Sequence, residues 1–137
     1  MLEAERQAHA SKVVFHVEAV GDPNVSKKVQ GGVQVVANFG EFPIEDVSIE
    51  EPDTIDVGGD KYKVVNMIRM GTIGPCERAF AYTDQPADGY VVFTDINGTK
   101  WSRKPASIPV RGHLAGVPEV SVLGVELKLE PIKNCQR

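Results

Sequence analysis

Apolar and polar residues alternate with a period of two along most of the chain, a pattern typical of β-strands that bury one face. In Lys12 to Val20, for example, Val13, Phe15 and Val17 share one face and His16 lies on the other. Similar runs are Val33 to Asn38, Glu45 to Glu50, Thr54 to Val57, Lys61 to Met70, Arg78 to Thr83, the two arms of a hairpin over Gly89 to Pro105, and Val120 to Leu129. Glycine and proline separate these runs, so the pattern predicts about seven to eight short strands.

The spacing of the strands predicts an all-β, antiparallel β-sandwich, with an open barrel as the main alternative. Pro52 is expected to end the third strand, because proline lacks an amide donor. Pro105 to Pro118 is expected to be extended and irregular, and Val120 to Leu129 to form one closing strand. Repeats of the length found in solenoids or propellers are absent from the sequence.

Leu2 to Ala10 is rich in helix-forming residues but contains one large apolar side chain, Leu2. It predicts a short N-terminal helix with almost no apolar stripe, which we expect to fray or to lean on a partner. The expected organisation is a helical segment over residues 1–11, a sandwich over 12–130 and a tail over 131–137.

The clearest hairpin, Gly89 to Pro105, contains the only tryptophan and admits two registers. A two-residue turn at Asn97-Gly98 would place Thr94 opposite Trp101 and mix apolar and charged residues on both faces. A turn from Asp95 to left-handed Gly98 instead places Phe93 opposite Trp101, and it leaves Lys100, Ser102 and Lys104 on the other face. Because this second register separates the two kinds of side chain, we expect Trp101 to point inward.

The 137 residues fit one domain, and 42% hydrophobic and 25% charged residues are ordinary for a globular protein. The net charge of −4 argues against a surface that binds duplex nucleic acid. Positive charge is concentrated locally only at Lys27-Lys28 and at Lys100, Arg103 and Lys104, and a solvated strand face is the favoured interpretation of these groups. A platform for single-stranded nucleic acid would need exposed rings at Phe80, Tyr82, Tyr90 and Trp101, and the inward register of Trp101 opposes it.

The sequence contains no apolar run of about 18 residues and no signal peptide, so we expect a soluble chain with no membrane insertion, in the cytoplasm or in a virion. Cys76 and Cys135 have neither metal-ligand spacing nor the density of a disulfide scaffold. One disulfide between them is possible, but two free thiols in a reducing cytosol are the favoured interpretation.

Candidate chemistry is sparse. His9, His16 and His113 lie far apart, and no serine or cysteine has the sequence context of an activated nucleophile. The string from Asp95 to Thr99 resembles the start of a calcium loop, but it lacks the closing glutamate and is explained by the hairpin turn. We therefore expect no enzyme activity, no cofactor and no metal site.

Three short motifs suggest a family. The hairpin matches VxFTDxxGxxWxR over Val91 to Arg103, and the others are VQVVAN with PIEDV and the turn Ile73 to Glu77. Together they resemble a group of uncharacterised actinobacterial Ig-like domains, over about residues 5–105. Cys76 stands where the group has glycine, which puts the left-handed geometry of that turn in question. The resemblance implies an Ig-like sandwich without a known enzymatic site, encoded by an actinobacterium or one of its phages.

These observations predict a non-catalytic Ig-like module that binds another protein, or another copy of itself, through the edges of its sheets. The alternative is a structural component of a virion or surface assembly. The outer row of the hairpin, Lys100, Ser102 and Lys104, is the candidate partner-binding surface.

Overall fold

The computed structural model describes residues 3–20, 31–83, 89–105, 107–112, 120–122 and 126–135. Within these ranges the chain forms one helix and ten strands. In chain order they are α1 (Glu3–Ala10), β1 (Val13–Val20), β2 (Gly31–Asn38), β3 (Ile44–Val57), β4 (Asp60–Ile73), β5 (Glu77–Thr83), β6 (Tyr90–Thr94), β7 (Lys100–Arg103), β8 (Val110–Arg111), β9 (Val120–Val122) and β10 (Glu126–Pro131). Predictions made for 21–24, Lys27-Lys28, 84–88, His113, Leu123 and Val125 lie outside the described residues.

The strands form two separate sheets, which confirms the predicted all-β sandwich and not the barrel. One sheet has four strands in the order β1-β2-β5-β10, and the other has six in the order β8-β7-β6-β3-β4-β9. Neighbouring strands are antiparallel, except that β9 runs parallel to β4. The ten strands exceed the seven to eight predicted because two very short strands, β8 with two residues and β9 with three, were not expected as separate elements.

One hydrophobic core lies between the sheets. Phe15 and Val36 from the four-stranded sheet join Ile49, Phe93 and Trp101 from the six-stranded sheet in a single buried cluster. These residues occupy alternate positions on their strands and form the inner faces of the two sheets. Part of the outer face is buried as well, at Val35 on β2 and at Val92 and Ser102 on the six-stranded sheet.

A buried polar contact also links the inner faces of the two sheets. The side-chain amide of Gln34 on β2 donates to Glu51 on β3 at 2.8 Å. Gln34 is fully buried and Glu51 nearly so. Because an unpaired buried carboxylate is costly, this contact favours one alignment of the sheets over its neighbours.

Pro52 does not end the third strand, contrary to the prediction. Strand β3 runs through it, and Pro52 lies opposite Val65 in the ladder with β4. The pairing of β3 with β6 stops at Glu50, so among the described strands β3 has a single neighbour at Pro52. A proline is tolerated there because an edge position does not need both sets of ladder hydrogen bonds.

The predicted closing strand over Val120 to Leu129 is also wrong. The structure divides this stretch into β9, which joins the six-stranded sheet, and β10, which joins the four-stranded sheet. Leu127 and Leu129 on β10 share the inner face with Ala79 and Ala81 on β5, yet both leucines remain about half exposed. Alternation within the sequence cannot show that a chain changes sheets.

Helix α1 packs on its own domain and does not project from it. Ala10 at its end is 2% exposed and belongs to the core cluster. The His9 and Phe42 rings lie 6.1 Å apart, and the Gln7 side chain donates to the Pro109 carbonyl at 3.5 Å. The small apolar residue at the helix end therefore provides docking that the sequence pattern did not indicate. No helix in the described ranges is both long enough and apolar enough to span a bilayer.

Cys76 and Cys135 form a disulfide, which corrects the expectation of two free thiols. Strand pairing of β10 with β5 brings their Cα atoms to 5.6 Å, and the Ile132 amide donates to the Cys76 carbonyl at 2.9 Å. Cys76 has a φ of 54°, so the turn keeps its left-handed geometry without glycine.

Candidate functional site

The hairpin adopts the register that places Phe93 opposite Trp101. The Gly98 amide donates to the Asp95 carbonyl at 3.0 Å, and Gly98 has a φ of 80°. The Asp95 carboxylate accepts from the amides of Asn97 and Thr99, both at 2.9 Å. The predicted turn and the role of Asp95 as its cap are confirmed.

Trp101 is 1% exposed, as the register requires. Its indole N–H donates to the second carboxylate oxygen of Asp95 at 2.9 Å, a contact that the turn preferences did not predict. Asp95 thus satisfies the turn and the buried indole together. Tyr90 is buried as well, so these two rings cannot stack against bases.

Arg103 at the end of β7 joins three segments of the chain. Its Nη1 donates to the carbonyls of Ser11 at 2.8 Å and Val13 at 2.7 Å, and its Nε donates to the Ser107 carbonyl at 2.7 Å. Burial lowers the pKa of Arg103 from its usual value. Arg103 was expected on a solvated strand face, and its acceptors are backbone groups far away in the sequence.

The predicted partner-binding row is interrupted. Lys100 and Lys104 are exposed, but Ser102 is fully buried and its hydroxyl donates to the Gly112 carbonyl at 2.6 Å. Strand β8 covers this position, since Val110 lies opposite Ser102. The row is therefore two separate lysines and not a continuous surface.

Lys100 lines a depression of about 430 Å³ on the outer face of the six-stranded sheet. Its floor includes the buried residues Ser48, Glu50 and Val92, and Arg69 is at its rim. A β-bulge opens the sheet here, where the register of β3 shifts between Ile44 and Ser48 and Asp46 has a φ of 50°.

Glu50 faces Tyr90 across the β3–β6 ladder on the floor side of this depression. Burial raises the pKa of Tyr90 to about 12, and the negative charge of Glu50 adds to the rise. Neither His9 nor His16, the two histidines in the described ranges, lines the depression. In the described part of the chain no group of three or more His, Cys, Asp or Glu residues could hold a metal ion.

A second cleft, of about 40 Å³, lies between α1 and the hairpin turn and is lined by Arg6, His9, Phe42 and Ile96 among others. This volume holds roughly two or three waters and no drug-sized ligand. It is a gap beneath the docked helix.

Of the four strands that end the two sheets in the described ranges, β1 is the longest, with eight residues, and β2 is its only neighbour. The Phe39 amide donates to the Lys12 carbonyl at 2.9 Å, which places the backbone groups of Lys12 on the β2 side. Alternate residues share a side, so Val14, His16 and Glu18 also bond to β2. Phe15, Val17 and Ala19 consequently direct their amides and carbonyls away from the sheet.

The Arg103 contact supports this assignment. Its guanidinium reaches the Val13 carbonyl from the side opposite β2, as expected for an odd-numbered residue of β1. Val13 is thus occupied within the domain, and the outward groups of Phe15, Val17 and Ala19 form the remaining edge, which we call the β1 edge.

The other three terminal strands offer less backbone for pairing, and the open sides of β3 and β4 are interrupted, by Pro52 on β3 and by β9 beside Val65 to Met67 on β4. Strands β8 and β9 have two and three residues. On β10, the bond from Ile132 to Cys76 places Leu127, Leu129 and Pro131 outward, and Pro131 has no amide to donate. The β1 edge combines length with outward donors that no proline interrupts.

Comparisons with known proteins give no match: no family model, no curated protein and no solved structure matches this chain.

Proposed function

We propose that the chain is a non-catalytic, Ig-like module that binds another protein by adding an extended segment of it to the β1 edge. The observation that carries the proposal is the asymmetry of the edges: β1 has eight residues and an unbroken outward row, whereas the other edge strands are shorter or contain proline. Strand addition draws its affinity from backbone hydrogen bonds of this kind.

Strand order supports the Ig-like assignment. Strands β1, β2 and β5 occupy the places of A, B and E in an Ig sheet, and β7-β6-β3-β4 follow the order G-F-C-C′. The disulfide differs from the usual B–F bridge, since it joins the start of β5 to the residues after β10. In both the observed sheet order and an Ig sheet, the first strand lies at the end of its sheet.

The side chains along β1 offer both apolar and charged contacts to an added strand. Val17 on the inner face is 38% exposed. On the outer face, His16 Nε2 lies 3.0 Å from Glu18 Oε1, and both side chains are about half exposed. A bound segment would cover Val17 on one face and meet the His16–Glu18 pair on the other.

The test compares Val17→Pro with Val17→Ala in the full tagged chain, purified from its own cells. Proline removes the outward amide of Val17 without taking a bond from the β2 ladder, and alanine retains the amide. We expect the same protein to co-purify with the wild type and with Val17→Ala and to be lost from Val17→Pro. Equal unfolding temperatures of the two variants control for folding.

If the partner still co-purifies with Val17→Pro, the proposed binding at the β1 edge is contradicted. Release of a reaction product by the purified chain would contradict a non-catalytic role. Co-purification with capsid or tail components, lost in the same variant, would assign the edge to the alternative role in a virion or surface assembly.

A further inference from the structure

We propose that the β1 edge accepts a second copy of this chain, with the two β1 strands antiparallel and centred on Val17. This inference rests on the proposed strand addition, and it adds the identity and register of the added strand.

The outward backbone groups limit the possible registers. Phe15, Val17 and Ala19 point away from β2, so they must form the hydrogen-bonded pairs with the second copy. A two-fold axis perpendicular to the sheet keeps both inner faces on the same side. The axis can therefore pass through Phe15, His16, Val17 or Glu18.

Arg103 disfavours the first two of these registers. Centring on Phe15 or on His16 would bring Val13 into the new ladder, opposite Val17 or Ala19 of the second copy. The Val13 carbonyl already accepts from Arg103 at 2.7 Å, on the side that the second strand would occupy. These registers would displace a guanidinium that ties β7 to β1.

Charge distinguishes the remaining two. Centring on Glu18 places the two Glu18 carboxylates directly opposite each other, which is destabilising. Centring on Val17 places His16 opposite Glu18 of the second copy, and Glu18 opposite His16 of the second copy. The two groups that are 3.0 Å apart within one chain are thus complementary across the interface as well.

The Val17 register also uses the whole free edge. Phe15 pairs with Ala19 of the second copy, Val17 with its own counterpart, and Ala19 with Phe15, which gives about six backbone hydrogen bonds. The two Val17 side chains, each 38% exposed in one chain, meet on the inner face. The two four-stranded sheets become one continuous sheet of eight strands.

The test uses the purified full chain alone. Sedimentation velocity over a range of concentrations should show a monomer converting to a dimer for the wild type and for Val17→Ala, and a monomer throughout for Val17→Pro. Mild oxidation of Val17→Cys should give a disulfide-linked dimer, because the two Cα atoms would lie about 5.5 Å apart. His16→Cys should give none, since its Cα atoms would be about 8 Å apart across the diagonal.

A second pair of variants tests the charges. His16→Glu should weaken dimerisation at least severalfold, and adding Glu18→Lys to it should restore the wild-type behaviour. A wild type that remains monomeric at every concentration would overturn the second copy as occupant. A dimer cross-linked through His16→Cys and not Val17→Cys would overturn the register. Either result leaves the proposed function to the separate co-purification test of Val17→Pro against Val17→Ala.

Discussion

The Trp101 indole fills the core beneath the hairpin and donates to Asp95, so its removal leaves a cavity and an unpaired carboxylate oxygen. We predict that Trp101→Ala lowers the free energy of unfolding by about 3 to 5 kcal/mol. Trp101→Phe keeps most of the ring and loses the indole bond, so it should cost clearly less. Urea denaturation measures both, and a loss below about 1 kcal/mol for Trp101→Ala would contradict the buried role.

Arg103 provides a second prediction at the residue scale. A lysine ammonium cannot reach carbonyls of three segments at once, because it lacks the forked geometry of a guanidinium. Arg103→Lys should therefore destabilise the fold by about 1 to 3 kcal/mol. Arg69→Lys, at an exposed position, is the matched control and should stay within about 0.5 kcal/mol of wild type. Equal stability of the two variants would contradict the role of Arg103.

Tyr90 gives the fold a dependence on alkaline pH. Burial and the Glu50 charge raise its pKa from 10.0 to about 12, so the folded state favours the protonated phenol. The resulting stability is fully present below pH 10 and is lost as the pH rises through about 12. The free energy of unfolding measured across this range should fall less steeply for Tyr90→Phe. Glu50→Gln brings the folded-state pKa of Tyr90 closer to 10, so the loss should be smaller and should end at a lower pH. Identical profiles for wild type and Tyr90→Phe would contradict the shift.

The roles of some of these residues could be predicted because they depend on neighbours in the sequence. Asp95 and Gly98 act within one turn, so their roles followed from turn preferences. The contacts of Arg103 could not be predicted, because its acceptors at Ser11 and Val13 are about ninety residues away and are backbone atoms of any residue type. Ser102 was placed on the correct face, but its burial depends on β8, a strand that the sequence pattern did not show.

At the scale of elements, the disulfide fastens β10 to β5 across a separation of 59 residues. Because a cross-link restricts the unfolded chain, reduction should lower the free energy of unfolding by about 2 to 4 kcal/mol. Urea denaturation with and without a reductant measures this. The double variant Cys76→Ala and Cys135→Ala should be insensitive to reductant. If reductant leaves the free energy of unfolding of the wild type unchanged as well, the two cysteines are not paired.

The strands were predictable where one face is buried between neighbours on both sides. Pro52 misled the prediction because the pattern does not show that β3 has lost one neighbour there. The stretch from Val120 onward misled it because β9 and β10 belong to one alternating run of the sequence, yet they join different sheets. Helix α1 was expected to fray, yet one buried alanine and its side-chain contacts dock it.

At the scale of the molecule, the two-layer sandwich followed from the number and spacing of strands, whereas the candidate site did not. The candidate site is the β1 edge, and a strand forms an edge only when no other strand of the sheet pairs with its second side. Sequence alternation identifies the faces of β1 but not its neighbours, so the predicted surface was placed on the hairpin, where charged residues are visible in the sequence.

The most direct test of the β1 edge is amide hydrogen exchange, measured residue by residue in dilute solution by NMR. The amides of Val14, His16 and Glu18 bond to β2 and should exchange slowly, and those of Phe15 and Val17 should exchange much faster. Added partner or a high protein concentration should then slow the two fast amides selectively. If Phe15 and Val17 are as protected as their neighbours in the dilute monomer, the edge is already covered and the account is wrong.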